Sequence, residues 1–90
     1  MKTKKIEWDR EKNDILKNGR NVCFEDIENA INEGRVLDIT PHPNQEKYPH
    51  QKILVVKVLG YIHYVPFVED DEKYFLKSII PSRKLNDKYL

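Results

Sequence analysis

The stretch "KILVVKVLGYIHYVPFV", residues 52–68, decides the fold, because two long apolar runs meet in it at Leu59 and Gly60. Two such runs joined by two residues predict an antiparallel hairpin with a tight turn. The predicted pairs are Val58 with Tyr61, Val56 with His63 and Leu54 with Val65. The turn length sets this register, since a slip of one residue would exchange the two faces of the hairpin.

The hairpin register sorts the side chains into two faces. The face predicted to form the core consists of Leu54, Val56, Val58, Tyr61, His63, Val65 and Phe67. The opposite face carries Ile53, Val55, Lys57, Ile62, Tyr64, Pro66 and Val68. Lys77, in the last apolar run "YFLKSII" (residues 74–80), is expected beside Lys57 and Tyr64, since lysines seldom point into a core. The second face is therefore predicted to be an open, cationic and aromatic surface.

Upstream of the hairpin, the stretch "CFEDIENAINEG", residues 23–34, has the spacing of a helix. Its apolar stripe consists of Phe24, Ile27, Ala30 and Ile31. Acidic residues in the first turn stabilise the helix, because they lie at the positive end of the helix dipole. Gly34 is expected to end the helix. These acids therefore have a structural explanation.

The first part of the chain predicts a short strand and another helix. The segment "KIEWD", residues 5–9, alternates apolar and charged side chains, which is typical of a strand with one buried face. Asp9 is expected to cap a helix that runs to about Asn18, with Gly19 as its left-handed last residue. A further strand is expected at "RVLDI", residues 35–39.

These elements predict an α+β domain of two layers. The predicted order is β-α-α-β-β-β-β, with the two consecutive helices packed on an antiparallel sheet. A chain of 90 residues holds a single core, so one domain is expected to span residues 1–90.

Composition and charge limit the class of protein. The net charge is only +1, but residues 25–38 carry five acids against Arg35, and residues 77–90 carry four basic side chains against Asp87. No run is apolar enough for a membrane span or a signal peptide, so a cytoplasmic protein is expected. The lone Cys23 agrees with a reducing compartment and is expected to pack or to cap its helix.

The segment "TPHPNQEKYPHQ", residues 40–51, is predicted to be a stiff loop with a function, because three prolines exclude regular structure. His50 is expected to be accessible there, either to a ligand or simply to solvent. His63 falls on the predicted core face and is expected to be structural. The histidines lack the spacing of a metal site and no phosphate-binding glycine loop is present, so neither a metal nor another cofactor is expected.

Three short motifs resemble a known family. They are "IEWDREK" (residues 6–12), "CFEDI" (23–27) and "IIPSRK" (79–84), in this order along the chain. Together they resemble the BrnT-type toxins of bacterial type II toxin–antitoxin systems, which belong to the RelE-like ribonuclease fold. The chain departs from the family pattern at Asn18-Gly19, where the family has His-Gly, and at Pro81, where it has a small residue. The role of the family histidine is therefore not carried over.

The resemblance implies a toxin that cleaves RNA without a metal, inhibits translation and is neutralised by an antitoxin, often a ribbon-helix-helix protein. Such cleavage needs a base, an acid and a cation for the charge on phosphorus. Arg83 is expected to be the cation, with Lys84 or Lys47 assisting, because a guanidinium makes two parallel bonds to a phosphate. His50 is expected to transfer protons. The residues expected to bind RNA are Lys47, Tyr48, Lys57, Tyr64 and Lys77.

A second hypothesis is a protein-binding module on the same fold without enzymatic activity. The acidic helix and the acidic turn "EDDE", residues 69–72, suit a basic partner, which the antitoxin would also satisfy. The exposed Arg83 is then an ordinary solvated side chain.

Overall fold

The structure, a computed structural model, describes residues 4–89. In chain order the elements are β1 (Lys5–Trp8), α1 (Arg10–Arg20), α2 (Phe24–Asn32), β2 (Val36–Pro41), β3 (Gln51–Val58), β4 (Tyr61–Glu69), β5 (Lys73–Leu76), β6 (Ile80–Pro81) and α3 (Arg83–Tyr89). The predicted α+β class is confirmed, but the predicted two-layer order β-α-α-β-β-β-β lacks the last strand and α3, which packs on the second face of the sheet.

The six strands form one mixed sheet in the order β1-β5-β4-β3-β2, and the short β6 pairs with β4. The prediction of an antiparallel sheet is wrong at one edge, where β1 lies parallel to β5. The single last strand predicted at residues 74–80 is also wrong, because the chain leaves the sheet after Leu76 and returns only at Ile80. Parallel partners far apart in sequence leave no local pattern, which is why the sequence did not indicate them.

The hairpin of β3 and β4 has the predicted register, with Val58 opposite Tyr61, Val56 opposite His63 and Leu54 opposite Val65. Leu59 and Gly60 are its two turn residues, and both have positive φ, 54° and 76°. This is the conformation of a type I′ turn, whose twist matches that of the two strands. Glycine accepts it easily, whereas leucine is strained there.

We expect the Leu59→Asn variant to be about 0.5–1 kcal/mol more stable than the wild type, because asparagine tolerates the left-handed conformation and Asn-Gly favours this turn. Leu59 is 73% exposed, so little apolar contact is lost. Urea unfolding of both proteins measures the difference. The matched control is Leu59→Ala, which removes the same exposed side chain but keeps the strain. An equal gain in both variants would show that the turn conformation is not the cause.

The main core lies between the sheet and the pair α1 and α2. Phe24 is fully buried and its ring stacks on that of Trp8, with centroids 5.8 Å apart. The remaining core side chains include Leu16, Ile27, Ala30, Leu54, Val56, Val65, Phe67, Leu76 and Ile79. Five side chains of the predicted core face therefore belong to the core, whereas Tyr61 is only half-buried. His63 is buried as predicted, with Nδ1 3.0 Å from the carbonyl oxygen of Tyr61.

The predicted helix boundaries hold with one correction. Asp9 caps α1 as predicted, since its side chain accepts the N–H of Lys12 at 3.1 Å. The helix continues past Gly19 to Arg20, and Asn21 with φ of 60° takes the left-handed position. Asparagine is the residue that best replaces glycine there. Asp26 caps the start of α2, because its carboxylate accepts the N–H of Cys23 at 3.2 Å.

The second face of the hairpin is covered, so the prediction of an open surface is wrong. Helix α3 lies across it, and Leu85 and Tyr89 pack against the buried Ile53, Val55 and Ile62. A helix of seven residues, five of them charged or polar, in which only Leu85 and Tyr89 pack apolar side chains on the sheet, gives too weak a pattern to stand out in the sequence.

Two hydrogen bonds attach α3 and the residue before it to β4, and a third starts the helix. The N–H of Ser82 donates to the Ile62 carbonyl at 3.0 Å, and the Ile62 N–H donates to the side-chain oxygen of Asn86 at 3.0 Å. The Ser82 hydroxyl accepts the N–H of Leu85 at 3.2 Å, which starts the helix. Asn86 thus replaces a strand partner that β6 is too short to provide.

Candidate functional site

A cavity of about 410 Å³ opens between α3 and the sheet. It is lined by Asp38, Thr40, His42, Pro43, Ile53, Val55, Tyr64, Ser82, Leu85, Lys88 and Tyr89. Its volume falls in the range of about 300–1,000 Å³ that is usual for ligand sites. We call it the α3 cavity.

The apolar part of the α3 cavity comes from two neighbouring strands and from the helix. Val55 of β3 and Tyr64 of β4 are opposite each other in the register, so they lie on one face of the sheet. Leu85 and Tyr89 add apolar surface from α3, because positions four apart share a side of a helix. The cavity therefore offers flat aliphatic and aromatic surface to a ligand.

The polar part of the α3 cavity comes mainly from β2 and α3. Asp38 and Thr40 share the face of Val55 and Ile53, with which they pair. The Asp38 carboxylate is 3.4 Å from the Tyr89 hydroxyl, which is a long hydrogen bond, and its other oxygen accepts the Ile39 N–H at 2.9 Å. The Lys88 ammonium lies 5.6 Å from the centroid of the Tyr89 ring.

One histidine, His42, lines the α3 cavity. In the sequence, the spacing of the histidines had only argued against a metal site. Its Nδ1 accepts the N–H of Asn44 at 3.0 Å, and its backbone N–H donates to Gln51 at 3.2 Å. The ring lies against that of Tyr48, with centroids 4.5 Å apart. Because Nδ1 is an acceptor, a neutral His42 carries its proton on Nε2 and is a hydrogen-bond donor there. The prolines on both sides of His42 were the only signal in the sequence.

Arg83 and Lys84 do not line the α3 cavity but begin the helix that forms one of its walls. Both are exposed, and they directly follow Ser82, which lines the cavity. They form the first turn of α3 after the chain leaves β6, so a helix positions them rather than the strand end that the sequence indicated. Exposed cations in this place are accessible to a phosphate group of a ligand.

His50 lies elsewhere. It lines a separate hollow with residues that include Ile39, Pro41 and Lys52. Ile39 pairs with Leu54 and Pro41 pairs with Lys52, so these side chains belong to the sheet face opposite the α3 cavity. The structure therefore does not bring His50 together with Arg83 and Lys84, and its role in proton transfer stays a prediction.

The residues predicted to bind RNA are spread over three places. Lys47 has its ammonium 5.3 Å from the centroid of the Tyr48 ring, and that ring contacts His42 at the rim of the α3 cavity. Tyr64 lines the cavity itself, and Lys57 is exposed at the same face of the sheet. Their role in RNA binding stays a prediction.

Lys77 is not beside Lys57. Its backbone N–H donates to the carbonyl of Pro66 at 2.7 Å, whereas Lys57 pairs with Ile62. Four residues of strand separate these positions, which is roughly 13 Å at 3.3 Å per residue. The Lys77 ammonium instead lies 5.3 Å from the centroid of the Phe75 ring.

Several acidic side chains have structural partners. The Asp70 carboxylate accepts the N–H groups of Glu72 and Lys73 at 2.8 Å, and its hydrogen bond to the Lys73 ammonium lowers the pKa of Asp70 to about 2. Glu69 is paired with the Lys4 ammonium, which lowers the pKa of Glu69. The acidic turn therefore closes the connection between β4 and β5, and only part of its charge is available to a partner.

The thiol of Cys23 is poorly suited to nucleophilic chemistry. Its pKa is raised, first because burial disfavours the thiolate and also because carboxylates lie nearby. The side chain is 3.4 Å from the Asp26 carboxylate at the start of α2. A protonated thiol is a weak nucleophile, and Cys23 occupies the N-cap position of α2, one of the two structural roles that the sequence indicated.

Comparisons with known proteins identify no relative. The chain matches no protein-family model, no curated protein and no solved structure. Within residues 4–89, no three His, Cys, Asp or Glu side chains are grouped so that they could hold a metal ion. In the same part of the chain no helix has the length and hydropathy needed to cross a membrane.

Proposed function

We propose that this protein is the toxin of a type II toxin–antitoxin pair of the BrnT type, with a RelE-like fold, and that it cleaves RNA in the cytoplasm without a metal. The observation that carries the proposal is the position of Arg83. The closing motif "IIPSRK", residues 79–84, ends with two exposed cations in the first turn of α3, the helix that covers a cavity with aromatic lining. A cationic edge beside stacking surface is what single-stranded RNA requires.

The proposed reaction is attack of a ribose 2′-hydroxyl oxygen on the adjacent phosphorus. A bond forms from O2′ to phosphorus as the 2′-hydroxyl proton passes to solvent water, and the bond from phosphorus to O5′ breaks as O5′ takes a proton from water, which leaves a 2′,3′-cyclic phosphate and a free 5′-hydroxyl. Negative charge grows on the phosphate oxygens in between. Arg83 stabilises that charge with two parallel N–H groups, and Lys84 adds a second cation. His50 is not part of the proposed group, because it lies on the other face of the sheet.

Expression of the chain by itself in bacteria tests the proposal. We expect growth arrest, fragmented RNA, and recovery of growth when the product of a neighbouring small gene is expressed with it. The purified protein is expected to cleave RNA in the presence of a metal chelator and to leave 2′,3′-cyclic phosphate ends. Normal growth at high expression, together with intact RNA after incubation with the folded protein, would contradict the proposal and favour the protein-binding module.

A further inference from the structure

We propose that the α3 cavity binds one guanine base of the RNA and thereby selects the position of cleavage. This inference rests on the proposed function, because it names the substrate feature that the same site recognises. It starts from the combination of surfaces that meet in the cavity, which is apolar on the inside and carries a carboxylate on its rim.

The shape and apolar surface of the α3 cavity suit a flat aromatic ring. Val55 and Tyr64 lie side by side on neighbouring strands, and Leu85 and Tyr89 approach them from α3. Nucleobases have two apolar faces and stack readily on tyrosine. A cavity of about 410 Å³ has room for one base with part of its sugar.

The Asp38 carboxylate decides which part of a nucleotide enters the α3 cavity. A phosphate group would meet a like charge there and be repelled. The Lys88 ammonium, which also lines the cavity from α3, attracts the phosphate to its own side. The two signs of charge therefore orient a nucleotide with its base at Asp38 and its phosphate at Lys88.

The carboxylate on the rim matches the edge of guanine. A carboxylate accepts two parallel N–H groups, and guanine presents such a pair at N1 and at its 2-amino group. The 3.4 Å hydrogen bond from the Tyr89 hydroxyl is long, and the Ile39 N–H takes only one lone pair of the other oxygen, so both Asp38 oxygens can still accept. Adenine has no N–H beside its amino group, so it cannot give the carboxylate two parallel hydrogen bonds.

Calorimetric titration with nucleoside monophosphates tests the inference, because they share the phosphate and differ in the base. We expect 5′-GMP to bind about tenfold more tightly than 5′-AMP, which corresponds to one well-formed bidentate contact. Inosine 5′-monophosphate, which lacks the 2-amino group, is expected to bind with intermediate affinity. Equal affinities for GMP and AMP, or no binding of either, would overturn the inference without any variant.

The Asp38→Asn variant assigns the effect to the carboxylate, since asparagine keeps the shape but has one acceptor oxygen. Its affinity for GMP is expected to fall to that for AMP, whereas AMP binding stays unchanged. The matched control is Asp14→Asn, an exposed aspartate on α1, which should leave both affinities unchanged. Thermal unfolding verifies that both variants are folded.

The cleavage pattern separates this inference from the proposed function. Wild-type protein is expected to cut RNA next to guanines, and Asp38→Asn to cut with little base preference. Cleavage that ignores guanine, in a protein that binds GMP and AMP equally, would overturn the guanine site and leave the ribonuclease proposal standing. Preferential GMP binding in a protein that cleaves no RNA would overturn the ribonuclease proposal and support the guanine site.

Discussion

The Arg83→Ala variant is expected to cleave RNA about 100-fold to 1,000-fold more slowly than the wild type, since the loss of one donor to a developing negative charge has an effect of this size. The charge on the phosphate oxygens is largest in the transition state, so the guanidinium matters more there than in the bound substrate. Cells that express the variant are expected to grow normally. The rate of cleavage of a short labelled RNA measures the effect.

Arg83 is exposed, so the variant is expected to unfold at the temperature of the wild type. Arg83→Lys is expected to regain part of the activity, because lysine keeps the charge but not the planar pair of donors. The matched control is Arg10→Ala, an exposed arginine at the start of α1 on the other side of the sheet, which should cleave at the wild-type rate. A folded Arg83→Ala protein that arrests growth normally would remove Arg83 from the catalytic role.

The Phe24→Ala variant is expected to lose about 3–5 kcal/mol of the free energy of unfolding, the usual effect of truncating a buried aromatic side chain. Phe24 is fully buried and stacks on Trp8 with centroids 5.8 Å apart. Domains of this size are stable by about 5–15 kcal/mol, so the variant would be close to unfolded at room temperature. Its position joins α2 to β1 and to α1, whose Asn13 side chain accepts the Phe24 N–H at 2.7 Å.

Urea unfolding monitored by circular dichroism measures this loss. The control is Ile15→Ala on α1, where the side chain is 69% exposed and where alanine is a better helix former. That variant is expected to stay within about 0.5 kcal/mol of the wild type. A loss in Phe24→Ala no larger than in the control would mean that the contact between Trp8 and Phe24 does not hold α2 on the sheet.

The predictions that were confirmed concern elements whose signals are local. The hairpin register followed from the position of Leu59 and Gly60 between two apolar runs, and the turn has the geometry that a two-residue connection requires. Helix α2 followed from the spacing of its apolar side chains, all of which are buried. In both cases a period of about two or 3.6 residues is imposed by backbone geometry and is therefore visible in any window of the chain.

The predictions that failed concern contacts between distant segments. Leu85 and Tyr89 gave no recognisable pattern, yet they cover Ile53, Val55 and Ile62 because that apolar sheet face has to be removed from water. Because α3 covers this face, the surface that was predicted to be open and to bind RNA is instead one wall of a cavity. The parallel pairing of β1 with β5 likewise joins segments more than 60 residues apart, which a local pattern cannot indicate.

For the candidate site, the sequence determined the chemistry of single side chains, above all the cations Arg83 and Lys84 after the last strand and the aromatic Tyr64 on the hairpin. Only the tertiary structure decided which other side chains lie near them. It brought Asp38 and His42 from the second strand and its loop to the cavity, and it placed His50 on the opposite face. The reason is that side-chain chemistry belongs to each residue, whereas proximity arises when the sheet and α3 pack together to bury apolar surface.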